Sequence, residues 1–173
     1  MKFLKNLFFL ILGLIALILI IAAFLPKTFH AGSEIVINKP SKEVFDYVKI
    51  IKNQANYDNW SRQDKNIIKD YQGTDGTVGF TYSWKSKKVG DGKQVITKVE
   101  EGKRVDMDIF FNGSDEANKT FIQVTPVDSL SSKVNWEIDG KIPYPFNIMS
   151  LFYDMNKDFK EGITRLKGIV ENQ

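Results

Sequence analysis

The sequence predicts an α+β protein: an antiparallel meander of strands curved over one long C-terminal helix, with a separate apolar helix ahead of it. Three observations predict this. Between Pro145 and Val170, apolar residues return every three or four positions (Ile148, Leu151, Phe152, Met155, Phe159, Ile163, Leu166, Val170), which places them on one stripe of a helix. Between Ile67 and Ile138 the apolar step shortens to two, and glycine-bearing turns separate the runs, as in antiparallel strands. Leu7 to Leu25 is 19 residues without a charge, about the length that crosses a hydrocarbon core as a helix.

Taken in order, the apolar run is preceded by Lys2 and Lys5 and followed by Pro26 and Lys27. Proline ends the span, and the lysine bias favours a cytoplasmic N-terminus with the remaining chain exported. The expected organisation is residues 1–28 as a membrane anchor or signal peptide and residues 29–173 as one folded domain. A cleaved signal peptide is the competing reading, with Ala22-Ala23 before the cut; the run is longer than the ~7–15 apolar residues of a signal peptide, which favours a single-pass membrane anchor.

Glu34 to Ile37 reads as a strand, and Asn38-Lys39-Pro40-Ser41 breaks it. Ser41 reads as the N-cap of a helix that buries Val44, Phe45 and Val48. Ile50 to Asn59 has little periodicity and reads as a short helix or turn ending near Tyr57 and Trp60. Then come the strands: Phe80, Tyr82 and Trp84 share one face, Val105, Met107, Ile109 and Phe111 another, and Val134, Trp136 and Ile138 a third. Gly73 to Gly76, Val89 to Gly92 and Glu101 to Lys103 supply the turns. The polar face of the last helix, including Asp158, Glu161 and Arg165, is expected to meet water.

Composition removes several function classes. The net charge is +3, from 24 basic and 21 acidic residues with no basic block, so a nucleic-acid partner is not expected. There is no cysteine and a single histidine, His30. Thiolate chemistry is thereby excluded, and a histidine-rich metal site or a Ser/His/Asp triad is not expected. No cofactor, metal or catalytic residue is expected. Gly73 to Gly79 lacks the Gly-Lys-Ser/Thr ending of a phosphate loop and reads as a turn. Asp106 and Asp108 share the strand face opposite Met107, away from any pocket.

The helix opening Lys39-Pro40-Ser41-Lys42-Glu43-Val44-Phe45, the Gly73 to Gly79 turn, the Thr97 to Val105 hairpin and the ending Phe159 to Lys167 together resemble the SRPBCC/START-like helix-grip superfamily, including its bacterial polyketide cyclase/dehydrase-like proteins. The resemblance covers about Phe29 to Glu171. It implies a helix-grip fold, a seven-stranded antiparallel sheet curved around the terminal helix, with a cavity between them for an apolar or amphipathic ligand. The superfamily includes both carriers and enzymes, so the fold does not decide the activity.

Within that frame the expected cavity lining is Trp60, Phe80, Tyr82, Trp84, Met107, Phe121, Trp136, Phe152, Met155 and Phe159, because small-molecule pockets are mostly apolar with few placed polar groups. Filling of a solid core by the same side chains is the alternative. The expected function is a membrane-anchored binding domain for a hydrophobic small molecule or lipid. A cyclase-type enzyme needs a buried acid or base, for which only Tyr82, Gln123, Asn135 and outlying carboxylates offer themselves. A partner-binding module without ligand is the third reading, its protein partner unspecified.

Overall fold

The computed structural model describes residues 2–173. They form two compact units: one comprises the chain up to Phe29 together with Lys141–Asp154, the other His30–Gly140 with Met155–Gln173.

In the first unit, helix α1 (Lys2–Phe24) has a mean hydropathy of 3.3 over its most apolar window, and only Ala22 is buried. A helix apolar on every side and almost wholly exposed is a candidate membrane span. Lys141–Asp154 contributes a 3₁₀ helix, Phe146–Leu151. This corrects the expected single helix from Pro145 to Val170. Ile148 and Leu151 are three residues apart, a step that suits a 3₁₀ turn as well as an α-helix. Proline suits the first turn of a helix, so Pro145 does not foretell the break, which falls at residues 152–154. The apolar step therefore continues across a real break, and the terminal helix begins only at Met155.

The second unit carries the sheet except for Thr28, Phe29 and Lys141 at two strand ends. Strands β1 (Thr28–Ile37), β2 (Ile68–Gln72), β3 (Thr81–Lys85), β4 (Gly92–Glu100), β5 (Arg104–Phe111), β6 (Asn118–Pro126) and β7 (Ser132–Lys141) form one seven-stranded sheet in the order β1-β7-β6-β5-β4-β3-β2. The pairings from β2 through β7 are antiparallel. Short turns join the strands of this meander; Gly102, at the β4–β5 turn, has φ +74°, a conformation that only glycine adopts without strain. The register of β4 slips between Ile96 and Lys98, a bulge of the kind that bends a sheet.

Alternation decides the two faces. Val105 and Met107 of β5, Ile122 and Val124 of β6, and Val134, Trp136 and Ile138 of β7 are buried, while the residues between them are less so. The second unit's helices are α2 (Ser41–Val48), the four-residue turns α3 (Gln54–Tyr57) and α4 (Trp60–Gln63), and the terminal α5 (Met155–Glu171). Val44, Phe45 and Val48 of α2, and Phe159, Ile163, Leu166 and Val170 of α5, complete the core. Each such fully buried side chain contributes about 1.5–3 kcal/mol relative to exposure. Ser41 opens α2 as expected, but Pro40 occupies the cap position and no side chain caps the helix.

Candidate functional site

The inward face of the sheet does not close completely on α5. A cavity of about 170 Å³ remains, lined by Gln54, Asp58, Trp60, Ser61, Ile67, Tyr82, Trp84, Val89, Gln94, Ile109, Phe111, Thr120, Trp136, Ile138, Met155 and Phe159. Ile67, Val89 and Phe111 are only partly covered and mark its open side, whereas Gln54, Gln94, Thr120, Trp136, Ile138 and Phe159 are buried at its base.

Two aromatic clusters form the walls. On one side the Trp136 and Phe159 rings meet edge-on at 4.8 Å between centroids, and Trp60 lies 5.4 Å from Phe159 and 6.2 Å from Trp136. Along β3 the Tyr82 ring lies 5.3 Å from Trp84, which meets Phe111 at 6.2 Å. All but the tilted Tyr82–Trp84 pair are edge-to-face contacts, an arrangement that aromatic rings prefer. Gly92 fixes Trp84 in another way: a Cβ there would lie 2.2 Å from the Trp84 ring, so the indole packs where only glycine leaves room.

The expected lining residues thus divide. Trp60, Tyr82, Trp84, Trp136, Met155 and Phe159 line the cavity. Phe80 and Met107 face inward but are 1% exposed and belong to the core behind it, Phe80 stacked on Tyr71 and Met107 against the Gln94 amide. Phe121 is a correction: alternation in β6 turns Thr120 and Ile122 inward and Phe121 outward, where the Arg104 guanidinium lies 3.6 Å over its ring. Phe152 is the other correction. It precedes α5, belongs to the first unit and is 79% exposed, so it forms no part of the α5 stripe.

Of the polar side chains in the wall, Tyr82 was expected, while Gln54, Asp58, Ser61, Gln94 and Thr120 were not. Gln94 Nε2 donates to Gln54 Oε1 at 3.1 Å, and the Thr120 hydroxyl donates to the Glu137 carbonyl at 2.6 Å. Asp58 is the only acid lining the cavity, and among the described residues no Lys or Arg lines it. Its carboxylate accepts the Ser61 backbone N–H at 2.5 Å, and burial pushes its pKa above the ordinary carboxylate value despite this contact. The Ser61 side chain favours the charged forms of both Asp58 and Tyr82, while burial drives the Tyr82 phenol strongly upward. Gln123 and Asn135, by contrast, face outward: Gln123 contacts Arg104 and Asn135 contacts Glu137. The alternation that hides Ile96 also turns Gln94 inward, a signal available in the sequence. Asp58 lies in a segment whose shape no periodicity reveals.

Asp58 is held from α5. Arg165 donates through Nε to the Tyr57 carbonyl at 2.9 Å and through a terminal nitrogen to Asn59 Oδ1 at 2.8 Å. The Asn59 amide in turn donates to Asp158 at 2.5 Å and to Glu161 at 3.0 Å. The supposed water-facing side of the helix is therefore a clamp on the turn that carries Asp58 and Trp60. Gly162 permits this approach, since a Cβ there would come within 3.3 Å of the Tyr57 carbonyl and 3.2 Å of the Trp136 ring. Asp106 and Asp108 lie outside the cavity, paired with Arg104 and Lys119.

No family model and no curated protein sequence matches the chain. Solved structures do. Norcoclaurine synthase from Thalictrum flavum in complex with dopamine and hydroxybenzaldehyde superposes with a TM-score of 0.63 at 11% identity, over 84% of this chain and 88% of that one. The Aha1 dimer from Colwellia psychrerythraea gives 0.58 at 16%, over 83% and 96%. DynU16, from the dynemicin biosynthetic locus, gives 0.57 at 13%, over 82% and 47%. The fold is the helix-grip fold. At these identities the likeness extends to the helix-grip architecture and not to any one neighbour's chemistry.

Proposed function

We propose that this chain is a membrane-tethered binding domain that holds a hydrophobic small molecule between the sheet and α5. The observation that carries the reading is the aromatic-walled cavity of about 170 Å³ with a single acid in its wall. Apolar cavities of about 150 Å³ accept a benzene-sized guest, whereas drug-sized ligands fill about 300–1,000 Å³. The volume therefore favours a compound of one aromatic ring over a whole lipid. The norcoclaurine synthase neighbour is solved with dopamine and hydroxybenzaldehyde, ligands of the same scale. With Asp58 as its only charged group, the wall favours a ligand that offers a hydrogen-bond donor or a positive charge.

The tether is α1. Its 23 residues span about 35 Å as a helix, enough to cross a bilayer, and Lys2 and Lys5 ahead of it support an orientation with the helix-grip unit on the exported side. Native mass spectrometry of the gently extracted full-length protein tests both parts. A co-purifying adduct of single-ring mass, on a chain of unprocessed length, is the expected spectrum; a chain beginning near Phe24 contradicts the tether, and repeated absence of any adduct contradicts the carrier.

A second reading has one specific observation in its favour. Asp58 and Tyr82 converge on the cavity and burial raises both pKa values, the arrangement an acid/base catalyst requires. Under it, Asp58→Asn abolishes turnover of a bound ligand while binding survives; unaltered recovery of the ligand after prolonged incubation with the unsubstituted protein contradicts it.

A further inference from the structure

Within the first unit, Lys141–Asp154 is fastened to the exit end of α1. Asn147 is fully buried, and its amide donates to the carbonyls of Ala22 at 2.7 Å, Leu25 at 3.1 Å and Pro26 at 3.4 Å. The Tyr144 hydroxyl reaches the Leu19 carbonyl at 3.5 Å, and the Ile142 N–H donates to the Lys27 carbonyl at 2.9 Å. The last carbonyls of a helix have no intrahelical donor, and leaving them unmet is costly at membrane depth. Asn147 supplies a donor to one of these, Ala22, and to the Leu25 and Pro26 carbonyls just past the helix, which ties the segment to the level where α1 ends.

The rest of the segment is unusually apolar for a surface. Ile142 to Tyr153 is 12 residues without a charge, bounded by Lys141 and Asp154. Phe146, Met149, Leu151 and Phe152 are between 55% and 79% exposed, and Tyr144 and Tyr153 nearly half exposed. Single exposed apolar residues are ordinary, but a contiguous set marks an interaction surface. It adjoins the last turns of α1, where Ile20 and Phe24 are also bare.

We propose that Tyr144–Tyr153 is a second membrane contact, an interfacial wedge lying in the headgroup and upper acyl region beside the exit end of α1. The inference rests on the reading of α1 as an uncleaved span. Lipid is the occupant because it alone covers an all-round apolar helix and the apolar patch fastened to its end as one surface. The composition fits: tyrosine favours the membrane–water boundary, and phenylalanine and leucine the buried side of a segment lying in it. The wedge would hold the chain at a fixed depth where a bare span would leave a swivel.

The chain has no cysteine, so single cysteines at Ile15, Met149 and Phe152 can each carry a nitroxide in otherwise unaltered full-length protein. In vesicles of phosphatidylethanolamine and phosphatidylglycerol, power saturation compares collision with oxygen, which concentrates in lipid, against a water-soluble nickel chelate. The expected result is an oxygen-to-nickel ratio at Met149 and Phe152 several-fold above that of free label in buffer, with Ile15 higher still. Nickel-accessible labels at Met149 and Phe152 while Ile15 is in lipid overturn the wedge and leave the span standing. Labels at those two sites shielded from both reagents mean a protein partner covers the patch, and also overturn it. Nickel access at Ile15 removes the span itself, and the wedge with it.

Discussion

Residues 145–154 and 155–171 carry the same apolar step, yet they end in opposite surroundings. Phe152 is 79% exposed in the first unit; Phe159, seven residues on, is 2% exposed in the second and packs edge-on against Trp136. Periodicity therefore identifies a face that needs covering without saying what covers it. For α5 the cover is the sheet and its cavity; Phe146, Met149 and Leu151 stay exposed, and lipid is their proposed cover.

The comparison is broken most directly by truncating the two phenylalanines. Phe159→Ala is expected to destabilise the domain by about 3–5 kcal/mol, the usual loss for a buried aromatic, measured by denaturant unfolding of the detergent-solubilised chain. Phe152→Ala is expected to change it by no more than about 0.5 kcal/mol, as for an exposed site. Equal losses would show that both segments belong to one core.

Arg165→Ala sharpens the role of the polar side of α5. It leaves the Tyr57 carbonyl without its donor, a loss of about 1–3 kcal/mol for a buried group. It also frees the turn bearing Asp58 and Trp60, so ligand affinity is expected to fall with stability; affinity unchanged in a destabilised variant would separate the clamp from the cavity.

Much of this fold is legible in the residues themselves. The charge-free run of α1, the opening of α2 at Ser41 and the alternation in β5 and β7 each bury or expose what their pattern predicts, because one local period settles the face. Phe121 obeys the same logic and turns outward: Thr120, Ile122 and Val124 are a more apolar inward set than Phe121 with Gln123 and Thr125, and the pairing of β6 agrees. Two of the cavity's polar groups were hidden. Gln54 opens the four-residue turn α3 and Asp58 follows it, and the path of so short a turn depends on tertiary contacts such as those from Arg165.

Two smaller effects refine the site. Gly92→Ala drives a methyl into the Trp84 ring, so the indole must leave the cavity wall. A roughly tenfold weaker affinity, about 1.4 kcal/mol, is expected by calorimetry with little loss of fold; unchanged affinity would remove Trp84 from the binding surface. Asp58→Asn has the smallest effect on stability. Burial lifts the Asp58 pKa above 3.8, so the folded chain keeps a proton that the unfolded chain releases, and stability falls as pH rises from 3.8 through the folded value. The Asn variant is expected to flatten that part of the Tm–pH curve, and an unaltered slope would assign the titration elsewhere.

The central claim, that the cavity binds a ligand of one ring, is tested most directly by the indole N–H resonances of Trp60, Trp84 and Trp136 in the full-length protein held in bicelles. The expected result on titration with phenol is saturable movement of the Trp84 and Trp136 signals, with palmitate producing none. Signals that stay fixed through the phenol titration, or that respond only to palmitate, would contradict it.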